Sequence, residues 1–223
     1  MSFYGKDYPP VHDPGPEDNP ALESELGAVH RGQVRMAYRL AESHGARLMH
    51  VHGIGWHVWD GRRWAEDTRG AAHRAVLEVL RDALGSSLDD KDLRADVRRC
   101  ESANGVRGVL DLAATLETFA ATVDDLDADP FLLNCANGTL DLRTRELRAH
   151  DPADRLSKVT TGAYDPALRS TQWEDFLAQV LPDEAVREYL RRVVGQAIYG
   201  GVREHLFPVL IGAGATGKGT AYG

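Results

Sequence analysis

Two turn dipeptides, Asp60-Gly61 and Asn137-Gly138, divide this chain of 223 residues into short-strand and helical territory. Both pairs suit tight hairpin connections, because glycine takes a positive φ and Asp or Asn bonds its own backbone. Around the first, Arg47-Leu48-Met49-His50-Val51-His52 reads as a strand, and Gly53-Ile54-Gly55 turns it. Trp56-His57-Val58-Trp59 then alternates back towards the turn, and Arg62-Arg63-Trp64 follows it. Around the second, residues 131–135, 139–142 and 146–149 form another antiparallel meander. Asn137-Gly138 is its expected turn, and Leu140 and Leu142 lie on its inward face.

Helical periodicity fills the rest. A loose pattern over 23–43 carries Val29, Val34, Met36, Tyr38 and Leu40, with Gly45 as its stop. Residues 71–84 place Ala75, Val76, Val79, Leu80 and Leu84 on one stripe, closed by Gly85. A helix over 88–100 starts behind Asp89-Asp90, whose charge suits a helix N-terminus, and another is expected over 106–119. Two more cover 171–181, with Trp173, Phe176, Leu177 and Val180, and 183–199, with Val186, Tyr189, Leu190, Val193 and Val194. The expected fold class is α+β, with two small antiparallel meanders set among helices. Residues 1–22 hold Pro9, Pro10, Pro14, Pro16 and Pro20 among acidic and polar residues and read as a disordered arm.

No apolar run is long enough to span a bilayer, and no secretory pattern opens the chain. Cys100 and Cys135 have no metal-motif spacing and read as buried small hydrophobes of a reduced, cytoplasmic protein. The net charge of −8 excludes a wholly basic surface but leaves room for a local basic groove. His50, His52 and His57 lie beside Trp56, Trp59 and Trp64. They read as packing on an aromatic mini-core, so no metal site is assigned. The acidic stretch 124–129 lacks the glycine and terminal glutamate of a calcium loop and reads as a solvated linker.

Near the C-terminus, Gly212-Ala213-Gly214-Ala215-Thr216-Gly217-Lys218 follows the apolar stretch 206–211. This is the phosphate-loop pattern, in which glycines let backbone N–H groups turn towards phosphate oxygens and a lysine adds a point charge. Gly212, Gly214, Gly217, Lys218, Gly219 and Thr220 are the candidate nucleotide contacts. Gly219 stands where the pattern wants a Ser or Thr to hold magnesium, and Thr220 comes one place late. The sequence stops at Gly223, so the expectation is an incomplete P-loop ATPase segment, with ATP and Mg as cofactors only when the remainder is present. No catalytic residue is assigned.

The order of these pieces resembles a known family. Leu133-Asn134-Cys135-Ala136-Asn137-Gly138-Thr139-Leu140-Asp141-Leu142 is similar to a hallmark segment of phage and plasmid primase–helicases, the group that includes poxvirus-type helicases. It is followed by the stretch 147–159, by Trp173, Phe176 and Leu177 on one helix, and by the helix that leads through Ile198-Tyr199-Gly200 to the phosphate loop. Trp56–Trp64 resembles the start of the same pre-helicase region, so the likeness covers about residues 30–223. It implies a pre-helicase domain over 23–168, a helical linker over 169–204 and the start of a superfamily 3 ATPase over 205–223. It also implies a role in DNA replication, with DNA and neighbouring helicase subunits, or copies of the same chain, as partners. The alternative is a non-enzymatic module that binds an intact helicase or another replication protein. Arg187, Arg191, Arg192 and Arg203 form the candidate nucleic-acid or subunit contact, set against a solvated face pairing with Asp183, Glu184 and Glu188.

Overall fold

Among the described residues, four helices make the first of two compact units, which takes in residues 30–44 and 73–116. The computed structural model describes residues 30–202 together with 205, 207–209 and 211. The expected arm at 1–22 and the phosphate loop at 212–220 lie outside the described residues. The helices are α1 (Gly32–His44), α2 (Ala71–Gly85), α3 (Lys91–Cys100) and α4 (Ala103–Ala113). α1 buries Met36, Ala37, Leu40 and Ala41 on one stripe and packs against α3 and α4. Asp90 caps α3 by accepting from the Asp92 and Leu93 N–H groups, so this helix begins three residues later than the apolar pattern predicts. Ser102 caps α4 in the same way and starts it earlier than expected. Gly105 lets the two helices meet closely: a Cβ there would sit 2.5 Å from the Cys100 carbonyl oxygen.

One charge is fully buried in this unit. Asp96 on α3 has no exposed surface and accepts from Arg31 Nε at 3.0 Å and Arg35 Nη1 at 3.4 Å. Arg31 also pairs with Asp92 at 2.7 Å, and Arg35 with Asp90 at 3.1 Å. The Leu93 N–H and the Arg35 guanidinium hold the Asp90 carboxyl below its ordinary value. The network ties the start of α1 to α3, and it keeps the buried carboxylate compensated.

The second unit takes in residues 45–72 and the described residues from 117 onwards. Its first sheet has strands β1 (Leu48–Val51), β2 (Gly55–Trp59), β3 (Trp64–Glu66) and β4 (Ala120–Ala121) in the order β3-β2-β1-β4. β1, β2 and β3 are the expected antiparallel meander, with Met49 opposite His57. Trp59 lies opposite Trp64, so the connection is the four residues 60–63 rather than Asp60-Gly61 alone, and Arg62 and Arg63 belong to the turn. β4 corrects the expectation, because the last part of the predicted 106–119 helix is not helical. Phe119 is buried instead, and its carbonyl accepts from the His50 N–H at 2.7 Å, leading the chain into a parallel pairing with β1.

Met49, Val51, Trp64 and Ala121 form a core on one face of this sheet, with Trp59 and Leu126 packed against it. The Trp64 Nε1 donates to the Pro152 carbonyl at 2.9 Å. Trp56, one residue out of phase with His57, takes the other face, where its ring meets His50 and Phe119 edge-on. The three tryptophans therefore do not make a single mini-core, and His50 and His57 point to opposite faces. The Asp67 carboxylate receives the Ala71 and Ala72 N–H groups at 2.8 and 2.9 Å, where α2 begins. Burial works to raise this carboxyl, but the N–H groups of Ala72, Ala71, Arg69 and Gly70 outweigh it and hold it below its ordinary value.

The second sheet runs β5-β6-β7, with β5 (Leu132–Cys135), β6 (Gly138–Asp141) and β7 (Glu146–Arg148). Cys135 pairs with Gly138, so the turn is Ala136-Asn137, one residue earlier than predicted. Gly138 is needed for a different reason. A Cβ there would collide with the Arg148 carbonyl oxygen across the sheet. Two helices, α5 (Thr171–Val180) and α6 (Glu184–Ala197), follow.

Candidate interaction surface

The polar residues of the 133–142 hallmark hold the second unit together. Asn134 is buried in β5, in a run of otherwise apolar or small residues. Its amide donates to the Arg62 carbonyl at 2.9 Å and the Lys158 carbonyl at 2.8 Å, and its oxygen lies 2.8 Å from His150 Nδ1. One side chain thus ties the β2–β3 turn and two downstream segments to β5. Asn137 makes a backbone-like pair with Tyr164, donating to its carbonyl at 3.0 Å and accepting its N–H at 2.9 Å. The Ala136 N–H donates to Gly162 and the Thr160 N–H donates to Asn134, so 160–164 runs beside β5. Sequence reasoning placed Asn137 in the turn and Asn134 in the hallmark segment but gave neither of them these ties. The available signal was an asparagine within a strand, where that residue is depleted.

The stretch 124–129 is not the solvated linker expected from its composition. The Asp125 carboxylate receives the Thr122 N–H and hydroxyl, which together with Arg155 hold it below its ordinary pKa. Asp127 accepts from the Ser157 N–H at 2.8 Å and from its hydroxyl. Asp129 takes two bonds from Arg143, at 2.8 and 3.0 Å, and this guanidinium pulls its carboxyl down. Arg143 also lies 4.0 Å over the Phe131 ring, which in turn meets Tyr199 edge-on. With the Gly200 N–H donating to the Pro130 carbonyl at 2.9 Å, the end of α6 is fastened to the second sheet.

Buried Cys100 and Cys135 are both free thiols, and burial pushes each one up. Among the described residues, no group of three or more His, Cys, Asp or Glu is placed to hold a metal ion. No helix among them is long and apolar enough to cross a membrane.

Of the candidate nucleotide residues, Gly212, Gly214, Gly217, Lys218, Gly219 and Thr220 lie outside the described residues, as does Arg203. Arg187, Arg191 and Arg192 stand together on α6. Arg187 Nη1 donates to the Leu181 and Pro182 carbonyls at 2.6 and 2.9 Å, closing the C-terminus of α5. Arg191 pairs with Glu188 at 2.5 Å, and Arg192 is exposed without a partner among the described residues. The basic face is thus partly used by the hairpin itself. The apolar side is open: no residue of α5 or α6 is buried, and Trp173, Tyr189 and Val194 are 44%, 54% and 56% exposed. A groove of about 380 Å³ runs between the two helices. Helices of this length are marginal in water by themselves, and the described residues leave this apolar face open.

Comparison with known proteins gives these features a family. Residues 37–182 match the family described as D5 N terminal like, a span reaching from α1 through β1–β7 to α5. The chain is 28% identical over 153 residues to "Putative helicase 121R" of Invertebrate iridescent virus 3, covering 66% of this chain and 15% of that protein. It is 31% identical over 100 residues to "Putative helicase L207/L206" of Acanthamoeba polyphaga mimivirus, covering 42% of this chain and 10% of the relative. The aligned regions are thus a small part of each of these longer proteins. The family match takes in the strand pairings, the Asn134 and Asn137 ties and the first helix of the hairpin, and the chain belongs to the D5 N-terminal-like family.

Proposed function

We propose that this chain is the pre-helicase part of a DNA primase–helicase of phage or prophage type, acting in DNA replication. The observation that carries the reading is the match over residues 37–182, joined to relatives whose names contain the word helicase. In this reading Arg187, Arg191, Arg192 and Arg203 face single-stranded or forked DNA or a neighbouring subunit. Residues 212–220 are the phosphate-loop part of an ATP–Mg site, made irregular by Gly219 in the magnesium-ligand position.

Gel shifts with single-stranded and forked DNA over a range of salt test the DNA contact. The double substitution Arg191→Ala, Arg192→Ala removes two phosphate-neutralising charges, so the log–log salt slope on single strands should flatten by about 1.4. An unchanged slope, or no shift at low salt, refutes the DNA contact. Labelled Mg–ATP tests the loop: binding tighter than about millimolar that survives Lys218→Ala removes it from the proposal.

A second reading is favoured by one feature, the uncovered α5–α6 hairpin. In it the chain is a non-enzymatic module that docks on an intact helicase or another replication protein.

A further inference from the structure

We propose that the α5–α6 groove is a docking site for an acidic amphipathic helix of a partner protein; this deepens the binding-module reading and rests on it. The floor is apolar, made by Trp173, Leu177, Leu190 and Val194. Its volume, about 380 Å³, admits several aliphatic side chains but no second layer. The rim carries three guanidinium groups, Arg169, Arg187 and Arg191, and the carboxylate of Glu174. Arg191 is already paired with Glu188 at 2.5 Å, which leaves Arg169 and Arg187 as the cations without a carboxylate partner. Arg169 donates to the Pro166 and Leu168 carbonyls, as Arg187 does to Leu181 and Pro182. Carbonyl acceptors hold those two side chains in place without neutralising them. On a chain of net charge −8, a groove with this balance selects an anionic visitor.

Two other occupants fit worse. A nucleic-acid strand needs open ring faces for its bases, whereas Leu and Val line this floor and the Trp173 ring already stacks on Phe176 at 5.5 Å. A second copy meeting groove to groove would oppose arginine rims, a repulsive arrangement. An amphipathic helix with leucines at i, i+3, i+4 and i+7 and glutamates on its flanks satisfies both floor and rim.

The test uses a fluorescein-labelled synthetic peptide of about five helical turns, with a leucine stripe and glutamate elsewhere. Controls are the same peptide with lysine for glutamate, and one with the stripe scrambled. By fluorescence anisotropy on the whole chain, the glutamate peptide should bind at least about tenfold more tightly than either control. Its binding should weaken with salt. Val194→Asp and Arg191→Glu should each weaken it by about tenfold, with the far-ultraviolet circular dichroism unchanged. If the variants lose helicity, protection of Leu190 and Val194 methyl signals by the peptide in the unaltered chain decides instead.

No saturable binding, equal binding of the lysine peptide, or displacement by an oligothymidine overturns the proposal. So does dimerisation by light scattering that Val194→Asp abolishes. Capture of an intact helicase by the whole chain separates the two levels: capture that Val194→Asp leaves unchanged while the peptide fails keeps the binding-module reading and removes only the groove.

Discussion

Substituting Asn134 separates a structural role for the hallmark segment from a direct functional one. Its side chain makes three hydrogen bonds, to Arg62, Lys158 and His150, from a position 5% exposed. At a net value of about 1 kcal/mol each, Asn134→Ala removes about 3 kcal/mol, reduced to about 2 where water reaches the freed carbonyls. For a unit of this size that lowers the thermal midpoint by about 10 °C. All four tryptophans lie in the second unit, so tryptophan fluorescence follows its melting separately from the helical unit.

Two comparisons sharpen the test. Asn137→Ala deletes two bonds to Tyr164 at an exposed site, where water replaces them, and should cost under about 1 kcal/mol. Asn134→Asp keeps the shape but turns a carboxylate oxygen towards two carbonyls. At neutral pH it should destabilise at least as much as alanine, and recover part of the loss below about pH 4, where a protonated carboxyl donates again. A midpoint for Asn134→Ala within about 0.5 kcal/mol of the parent, or no lower than that of Asn137→Ala, refutes the reasoning.

Asp96→Ala leaves Arg35 and Arg31 without their shared buried acceptor and should cost about 3 kcal/mol, seen by circular dichroism as early melting of the helical unit. Gly138→Ala forces a methyl onto the Arg148 carbonyl and should cost about 2 kcal/mol, with hydrogen exchange rising selectively along β6 and β7. Asp67, Asp125 and Asp129 are all held below the ordinary carboxylate value of 3.8, so their contribution is complete above that value and lost as pH falls through the folded values. The tryptophan-monitored midpoint should therefore stay level from about pH 7 to pH 5 and drop below about pH 4, with Asp67→Asn shallower in that drop.

What the residues announce and what they hide divide along physical lines. Helices with a wide apolar stripe, such as α2 and the 32–43 part of the helix expected over 23–43, and the strands on either side of Asp60-Gly61 were legible because their signals are local. Residues 30–31 are not helical, and 23–29 lie outside the described residues. β4 was not, since a two-residue strand has no period, and its pairing with His50 and Val51 is decided some 70 residues away in sequence. The turn at Ala136-Asn137 slipped by one place because Gly138 looked like a turn glycine while serving a close approach across the sheet. The jobs of Asn134, Asp127 and Asp129 depend on partners brought by the fold, which no spacing rule reveals. On the candidate surface, the clustering of Arg187, Arg191 and Arg192 was readable from helical periodicity. The spending of Arg187 on α5 carbonyls was not.

Neither compact unit is continuous in the chain. α1 must wait for α3 and α4 to emerge before it can bury Met36 and Leu40, and β1 must wait for Ala120 and Ala121 to gain its parallel neighbour. On a ribosome, α1 and the outer edge of β1 lack their full set of neighbours until residues 91–121 have emerged, and those surfaces are exposed to capture in the meantime. A shortened version ending between Leu116 and β4 should therefore keep the residues of the helical unit while leaving Met49, Val51 and Trp64 without Ala121 and Leu126 to cover them.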